Sequence, residues 1–317
     1  MNIQTLGQVA ALGTAFCWTI TSLSFEAAGR RVGSLQVNLI RLILAFLLFT
    51  LYGTLVHGRA LPLDAGTHVW LWLALSGLVG FVLGDLFLFQ AFVDVGARTA
   101  MLIYSSVPPM TAVLGWLVLG ERLSGLQIVA MGLTVVGIVT VTTAKTSNPP
   151  AAAEVPPPRS AAPPHSELRD THTHRLRGIW FAVLGALGQA GGLVLSRYGA
   201  PTYDPFGATQ IRTLAGMLGF GLVFLVWRRW RRVAVAVRDR RAMRHVLRGA
   251  FFGPFLGVSV GLFAAQRAGT GVAATIIATV PVLLIPVSVF WLHERVTLRE
   301  VIGAMVAVGG VALLFLS

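Results

Sequence analysis

Charged side chains inside long apolar stretches are the residues of this sequence most able to do chemistry. Three stand out, at Arg41, Asp85 and Arg212. A charge near the centre of a membrane helix costs about 2.5–3.5 kcal/mol on insertion scales, so its presence indicates a candidate functional site. The planar guanidinium groups of the two arginines suit a carboxylate or a phosphate. The structural alternative is that both arginines extend towards the membrane surface or bond exposed carbonyl groups.

Asp85 is the only carboxylate well inside one of these stretches. A carboxylate shielded from water can hold a proton near neutral pH, which suits proton transfer or the binding of an amine. The alternative is that Asp85 lies close enough to a helix end to reach water, in a region that Gly80 and Gly84 simply let pack tightly. Glu26, at the end of the first stretch, is a candidate partner for Arg41.

Polar side chains also mark other apolar stretches. Trp18, Thr21 and Ser22 recur at helical spacing on one face of the first stretch, and Gln189 precedes two glycines in the sixth. Tyr104 precedes two prolines, which free backbone carbonyl groups that must face protein or water. The alternatives are hydroxyl groups that bond their own helix and a kink without a ligand. The candidate binding set is Trp18, Thr21, Ser22, Arg41, Asp85, Tyr104, Gln189 and Arg212.

The elements that must position these residues are membrane-spanning helices. Of the 317 residues 55% are hydrophobic and only 12% are charged, which leaves too little polar surface for a soluble domain. Runs of about 20 apolar residues, the length that spans a bilayer core, recur along the chain. We predict ten spans: Leu6–Phe25, Ser34–Leu55, Val69–Phe92, Arg98–Leu119, Leu126–Thr143, Arg177–Ser196, Phe206–Trp227, Val246–Ala265, Val272–Leu292 and Glu300–Leu316.

A segment rich in Pro, Ala, Ser and His separates two halves of the chain. Because its prolines forbid regular helix, we predict a solvated, mostly disordered linker at residues 145–176. The linker divides a first five-helix unit, residues 1–144, from a second, residues 177–317.

The two halves repeat each other. Because five spans is an odd number, the second copy must sit upside down relative to the first. This is the architecture of secondary transporters, which bind their substrate between the repeats near the membrane midplane. The small residues also predict that the third and eighth spans make the closest helix contacts. The positions shared under nearly one offset are Pro108 with Pro281, Glu121-Arg122 with Glu294-Arg295, and Ser76, Gly80 and Gly84 with Gly249, Gly253 and Gly257.

These repeated motifs resemble those of a known family. The first half contains Gly84-Asp85, Gly96-Ala97-Arg98, Pro108 and Leu119-Gly120-Glu121-Arg122, and the second contains Pro281, Glu294-Arg295, Gly303 and Gly309-Gly310. Together they resemble the EamA family of the drug/metabolite transporter superfamily over almost the whole chain except the linker. The resemblance implies a ten-helix carrier, usually an exporter of amino acids or other small metabolites, and it implies no particular substrate.

The sequence therefore favours a secondary transporter, expected to be an exporter, of small polar metabolites such as amino acids. Its two repeats would alternate access, with proton coupling at Asp85 as a further expectation. An amino acid would place its carboxylate at the arginines and its amine at Asp85, which leaves no charge unpaired. Two alternatives stay open: a membrane-embedded enzyme, which would need clustered catalytic groups, and an exporter of apolar drugs or lipid-linked compounds.

Other expected partners follow from the charge distribution. The arginine-rich stretch from Arg228 to Arg248 predicts contact with anionic lipid, and the bias of Arg and Lys places the odd-numbered loops in the cytoplasm. We expect a multi-pass protein of the inner membrane, for which a monomer is sufficient. No nucleic acid, metal or cofactor is expected, and the lone Cys17 excludes an internal disulfide.

Overall fold

A computed structural model describes residues 3–120, 122–143, 164–268, 273, 276–290 and 296–316. All regular structure within these ranges is helical, in agreement with the predicted fold class. Glu121, Glu294 and Arg295 of the repeated sequence pairs lie outside the described residues.

The first half is a chain of helices whose ends follow from local sequence. Gly58 and Gly120 adopt a left-handed conformation, with φ 66°, that terminates the second and fifth helices. Ser124 and Gln127 form a capping box at the start of the sixth. The helices are α1 (Ile3–Val32), α2 (Ser34–His57), α3 (Thr67–Gly77), α4 (Asp85–Tyr104), α5 (Val107–Leu119) and α6 (Gly125–Thr142), with a π-helical segment, Leu78–Gly84, between α3 and α4. We call this the first π segment.

The second half has a similar order of helices, with one additional short helix before its π-helical segment. The carboxylate of Asp204 accepts the backbone N–H of Gly207 (2.7 Å) and so caps its second helix. The helices are α7 (Pro164–Gly199), α8 (Pro205–Val226), α9 (Trp230–Arg238), α10 (Arg240–Ala250), α11 (Val258–Ala268), α12 (Val280–Phe290) and α13 (Leu298–Leu316). A second π segment, Phe251–Gly257, joins α10 to α11.

Several of these helices have the length and composition of membrane spans. Within the described ranges, 6 are long and apolar enough to cross a membrane: α1, α2, the continuous stretch Thr67–Tyr104, α6, the His174–Gly199 part of α7, and α8. The apolar helices α5 and α12 are shorter. The chain is thus a multi-helix membrane protein, and the count of ten spans stays a prediction.

The predicted fourth span, Arg98–Leu119, is divided in the structure. α4 passes through a non-helical residue, Gly96 (φ 81°), and ends at Tyr104, while α5 begins at Val107. Prolines at positions 108 and 109 explain the division. Neither has an amide N–H for the carbonyl four residues earlier, and each ring crowds that turn.

α7 begins inside the segment for which the sequence predicted disorder. It starts at Pro164, so residues 164–176 are helical. Proline is tolerated in the first turn of a helix because its missing N–H would have no partner there, and no proline follows within α7. Residues 144–163 lie outside the described residues, and the linker boundaries at 145 and 176 stay a prediction.

Equivalent helices of the two halves pack antiparallel. In the contact between α6 and α13, Gly310 lies against Thr134 in the middle of α6, while the earlier Gly303 lies against Val141 near the end of α6. α2 and α8, which are also equivalent, cross in the same antiparallel sense. Opposite directions for equivalent helices are what a second copy placed upside down requires.

Each π segment packs against the first helix of the opposite half. A Cβ placed on Gly188 of α7 would lie 2.7 Å from the Cα of Gly84, so these two backbones touch. Gly253 of the second π segment packs in the same way against Thr21 of α1. The small residues of the third and eighth spans therefore allow close approach, but the prediction that these spans make the closest helix contacts does not hold. α6 and α13 approach one another just as closely.

Candidate functional site

Arg41 and Asp85 form a buried ion pair between α2 and α4. Only 9% of Arg41 and 6% of Asp85 are exposed. Asn38, one turn before Arg41, contacts both residues. Its amide group donates to the carbonyl oxygen of Asp85 (2.9 Å), and its side-chain oxygen accepts from Arg41 Nε (3.0 Å). Because a buried charge is costly unless it is paired and hydrogen-bonded, this arrangement explains how the apolar interior holds both groups.

Aromatic rings surround the guanidinium group of Arg41. Its Cζ atom lies 4.7 Å from the ring centroid of Phe89 and 5.8 Å from that of Phe25. The face of an aromatic ring attracts a cation within about 6 Å of its centroid. Since Phe25 belongs to α1, three helices of the first half hold Arg41 in place.

Arg212 of α8 brings a second guanidinium group from the other half. Its Cζ atom lies 4.6 Å from the ring centroid of Phe81, and the Cζ atom of Arg41 lies 6.0 Å from the same centroid. Arg212 is only 8% exposed. Its buried Nε and Nη2 atoms have no hydrogen-bond partner among the described residues. Within the described ranges, one arginine of the site is therefore bonded to a carboxylate, and the other is not.

Gln189 of α7 approaches Arg212 at Gly80 of the first π segment. A Cβ placed on Gly80 would lie 3.2 Å from Arg212 Nη2 and 3.2 Å from Gln189 Oε1. Gln189 Oε1 is also buried without a hydrogen-bond partner in the described ranges. The missing side chain at Gly80 leaves room for both polar groups.

Tyr104, at the end of α4, completes the group of predicted residues that the structure brings together. It interacts electrostatically with Asp85, Arg41 and Arg212, and it packs against an apolar cluster that includes Ala186 and Ala190 of α7. Residues of α2, α4, α7 and α8 thus converge from both halves. The part of the chain that the structure describes has no group of three or more His, Cys, Asp or Glu placed to hold a metal ion. The side chains that converge here can recognise charged and polar groups.

The three predicted site residues on α1 have other contacts. Thr21 Oγ1 donates to the carbonyl oxygen of Cys17 in its own helix (2.8 Å) and lies 3.3 Å from the carbonyl oxygen of Gly249 in the second half. Ser22 Oγ donates to a carbonyl oxygen of its own helix (3.0 Å), and Trp18 packs in an apolar cluster that includes Val280. These hydroxyl groups make the backbone bonds that were the alternative to a binding role.

Glu26, proposed from the sequence as a partner of Arg41, is bonded elsewhere. Its Oε1 atom lies 2.9 Å from a guanidinium nitrogen of Arg30, and its Oε2 atom accepts the backbone N–H of Ala97 (2.8 Å). Ala97 follows the non-helical Gly96, where α4 resumes its helical course. The carboxylate therefore caps the restarted helix, where negative charge is favoured.

Sequence reasoning missed Asn38 and Phe81. Asn38 gave a usable signal, because a polar residue three positions before Arg41 in an apolar helix shares its face. Phe81 gave none. In the sequence, Phe81 is one of many apolar residues of the third span. Its position beside the two arginines depends on the path of the π segment, which the sequence does not reveal.

Ion pairs join the two halves at one face of the bundle, which we call the arginine-rich face because it carries residues 228–248. Asp239 lies there, and the backbone N–H of Ala242 together with Arg31 holds the pKa of Asp239 below its ordinary value. Among the described residues the pairs that cross between halves at this face are Arg31–Asp239 (2.6 Å), Asp94–Arg177 (2.9 Å) and Arg98–Glu300 (3.6 Å).

A cavity of about 260 Å³ opens at the opposite face, between the end of α2 and the start of α8. The rings of Tyr52 and Phe206 stack beside it with centroids 4.8 Å apart. Tyr203 donates to Asp64 Oδ1 (3.1 Å). Burial and this hydrogen bond raise the pKa of Tyr203 to about 12, so its hydroxyl stays a neutral donor. The two faces therefore differ: one is joined by ion pairs and the other has an open cavity.

Comparison with known proteins shows similarity over both halves. The model of the EamA-like transporter family matches residues 5–143 and 176–316. The threonine/homoserine exporter RhtA of Escherichia coli (strain K12) is 32% identical over 136 residues, which are 41% of this chain and 43% of the exporter. RhtA of Salmonella typhimurium (strain LT2) is 31% identical over 135 residues, with the same shares. The aligned stretch thus covers less than half of these relatives.

The crystal structure of another protein has the same fold as this chain. It superposes with a TM-score of 0.57 over 98% of this chain and 97% of its own, at 16% sequence identity. Because the family model covers nearly all of both halves, the chain belongs to the EamA-like transporter family, whose members are membrane transporters and not enzymes.

Proposed function

We propose that this chain is a secondary transporter that exports small polar metabolites, with amino acids as the favoured class, by alternating access between its two halves. The observation that carries the proposal is the buried cluster of Arg41, Asp85 and Arg212, contributed by helices of both halves. The proposal includes ten spans in two inverted five-helix repeats of an inner-membrane protein, with the substrate bound between the repeats.

The charges of this cluster favour a polar substrate that carries negative charge. From their residue type alone, both arginines could bind a substrate carboxylate, but Arg41 is already bonded to Asp85, which leaves Arg212. A carboxylate would offset the extra positive charge, whereas an apolar drug or lipid-linked compound would leave it buried and unanswered, at a cost. Apolar compounds are therefore the second candidate class. Tyr104 and Gln189 add polar groups, with Trp18, Thr21 and Ser22 proposed for the wall formed by α1.

The relatives support amino acids as the substrate class. RhtA is an exporter of threonine and homoserine, and the alignment with it covers 43% of its length. Both compounds are small, zwitterionic and hydroxylated. Applied to this chain, the similarity supports export of a compound of this size and charge.

The contrast between the two faces supports alternating access. The ion pairs of the arginine-rich face join the halves, so they must separate before the site opens there. The cavity at the opposite face lies between the end of α2 and the start of α8, one helix from each half. Because positively charged loops are usually retained in the cytoplasm, we assign the arginine-rich face to that side.

Proton coupling at Asp85 is part of the proposal. A proton on Asp85 would release Arg41 from its partner and change the net charge of the cluster. Asp85→Asn should therefore abolish the pH dependence of transport, measured as uptake into proteoliposomes from mildly acidic to mildly alkaline pH. Asp64→Asn, at the opposite face, is the control. A pH profile of Asp85→Asn identical to that of the wild type contradicts the coupling role.

Anionic lipid is the proposed partner of the arginine-rich face. Arg231, Arg232 and Arg238 of α9 are exposed, as is Trp230 at its start. Each basic residue near an anionic membrane surface contributes about 1 kcal/mol to binding. Co-sedimentation with vesicles that contain or lack phosphatidylglycerol measures this preference, and triple replacement of these arginines by Gln should remove it.

Counterflow in proteoliposomes tests the transport function. Vesicles that contain the full chain and unlabelled L-threonine should accumulate labelled L-threonine transiently, whereas protein-free vesicles should not. Homoserine and other small zwitterions compete in the same assay. Counterflow of an apolar compound, with none for any zwitterion, would replace the proposed substrate class with the second candidate.

A further inference from the structure

We propose that Arg212 and Gln189, which meet at Gly80 of the first π segment, form the subsite for the carboxylate end of the substrate, while Arg41 neutralises Asp85. The inference rests on the proposed function and deepens it. It assigns a ligand class: carboxylic acids with a hydrogen-bond donor on the neighbouring carbon, which are the α-amino and α-hydroxy acids.

The unbonded atoms of Arg212 are those that recognise a carboxylate. Nε and Nη2 lie along one edge of the planar guanidinium group, and this edge can give two parallel N–H bonds to a carboxylate. Both atoms are buried and have no hydrogen-bond partner in the described ranges. The ring of Phe81, 4.6 Å from Cζ, covers one face of the group. Recognition is therefore directed to the edge.

Gln189 places an acceptor beside this edge. Its Oε1 atom and Arg212 Nη2 lie at the same distance, 3.2 Å, from the Cβ position of Gly80. A carboxylate has no donor for that oxygen, so a donor must come from another group of the ligand close to its carboxylate. An ammonium or hydroxyl group on the adjacent carbon meets this requirement.

The charge of Arg212 is not met by a bonded carboxylate within the described part of the chain. Asp85 interacts with it electrostatically, but the side chain of Asp85 is bonded to Arg41. Burying a cation without a bonded partner is costly. A ligand that supplies the opposite charge removes this cost, and so the subsite should be more stable when an acid is bound.

The absence of a side chain at Gly80 keeps open the space between Arg212 and Gln189. Any side chain there would begin 3.2 Å from both polar atoms, closer than ordinary van der Waals contact. Gly80→Ala therefore narrows the space and leaves Arg212 and Gln189 unchanged.

Thermal stabilisation of the purified full chain by three probes tests the subsite. L-threonine and L-lactate should raise the melting temperature of the wild type, whereas threoninol, which lacks the carboxylate, should not. Arg212→Gln should weaken the binding of both acids on the order of 100-fold. Arg212→Lys keeps the charge without the two-bond edge and should weaken it less. Arg122→Gln, on an exposed loop, is the matched control.

Gly80→Ala provides a second test if Arg212→Gln does not fold, with binding expected on the order of 10-fold weaker. Binding of both acids at wild-type strength by these variants overturns the subsite, while counterflow of L-threonine by the wild type would still support the proposed function. Arg212-dependent binding without counterflow supports the subsite and contradicts the transport proposal. Absence of stabilisation by either acid overturns the subsite.

Discussion

The two π segments share a backbone and differ in their surroundings. Leu78–Gly84 and Phe251–Gly257 each contain 7 residues, follow an α-helix of 11 residues, and pack against the first helix of the opposite half. The first is followed by Asp85 and lies against Arg212. The second is followed by Val258 and lies against uncharged residues of α1.

This difference shows that one set of residues determines the repeated backbone and another set determines the candidate site. Small residues such as Gly84 and Gly188 in one region, and Gly253 in the other, let the helices approach closely. Close packing is therefore present twice. Among the described residues, the first π segment is followed by a carboxylate and packs against an arginine, whereas the second packs against uncharged residues of α1. Short π-helical stretches are frequent at functional sites in general, and the candidate site lies at the first.

The largest expected effect comes from breaking the charge pair of the first region. Arg41→Leu leaves Asp85 buried without its counter-ion and should lower the free energy of unfolding by about 3–5 kcal/mol. Addition of Asp85→Val, which copies Val258, should recover most of this loss because both charges are gone, while counterflow stays absent. Thermal unfolding in detergent measures the recovery. A double variant as unstable as Arg41→Leu would show that the unpaired carboxylate is not the cause.

The converse change places a carboxylate directly after the second π segment, at Val258. Val258→Asp should cost about 2.5–3.5 kcal/mol, the penalty for an isolated charge near the centre of a span. Val258→Thr has a similar shape and no charge, and it serves as the control. Both variants are compared by their melting temperatures in detergent. Equal stability of the two would mean that a carboxylate is accommodated equally well in both regions, which contradicts the asymmetry.

Packing provides a third, smaller comparison. Gly188→Ala places a methyl group 2.7 Å from the Cα of Gly84, where backbone atoms must move, and should cost about 1–3 kcal/mol. Gly253→Ala meets a side chain, Thr21, at 2.6 Å and not a backbone, so the loss should lie at the lower end of that range. Denaturation of the two purified variants ranks them. The reverse order would indicate that the second region is the more rigid.

The smallest expected effect concerns pH and the helices that lead into the π segments. α10 is capped by Asp239, which accepts the backbone N–H groups of Arg241 and Ala242 (both 3.0 Å), whereas α3 has no side-chain cap at Gly66. Because its pKa is lowered in the folded state, Asp239 contributes stability at neutral pH that is lost as the pH falls through the lowered pKa.

The melting temperature of Asp239→Asn should therefore fall below that of the wild type near neutral pH, and the difference should vanish in acid. A difference that persists in acid would assign the effect to the shape of the side chain and not to its charge.

The repeat was predictable from the sequence because proline restricts the backbone and glycine permits close packing of helices wherever they occur. Pro108 and Pro281 lie near the starts of the equivalent helices α5 and α12. The π segments were not predictable, because their residues are the same apolar and small types that form α-helices. The start of α7 at Pro164 was not predictable, because a cluster of prolines normally indicates the absence of helix, although a single proline can occupy the first turn of one.

The site was predictable in its residue types and less so in its pairings. Charge inside a membrane span is rare enough that Arg41, Asp85 and Arg212 stand out by their position in apolar stretches. The pairing of Arg41 with Asp85 joins residues 44 positions apart and depends on how α2 packs against α4, which no local pattern encodes. Thr21 and Ser22 fitted a polar stripe equally well whether their hydroxyl groups bond a ligand or the backbone.

The cluster of two arginines and one aspartate also has an electrical consequence. Its formal charges leave one positive charge in the membrane interior, where the transmembrane voltage acts on it. Moving one elementary charge across the whole membrane is worth about 2.3 kcal/mol per 100 mV. A bound monoanion would make the cluster neutral, and a zwitterion would leave the single charge in place. Voltage would therefore act differently on rearrangements of the site loaded with a lactate-like acid and with an amino acid.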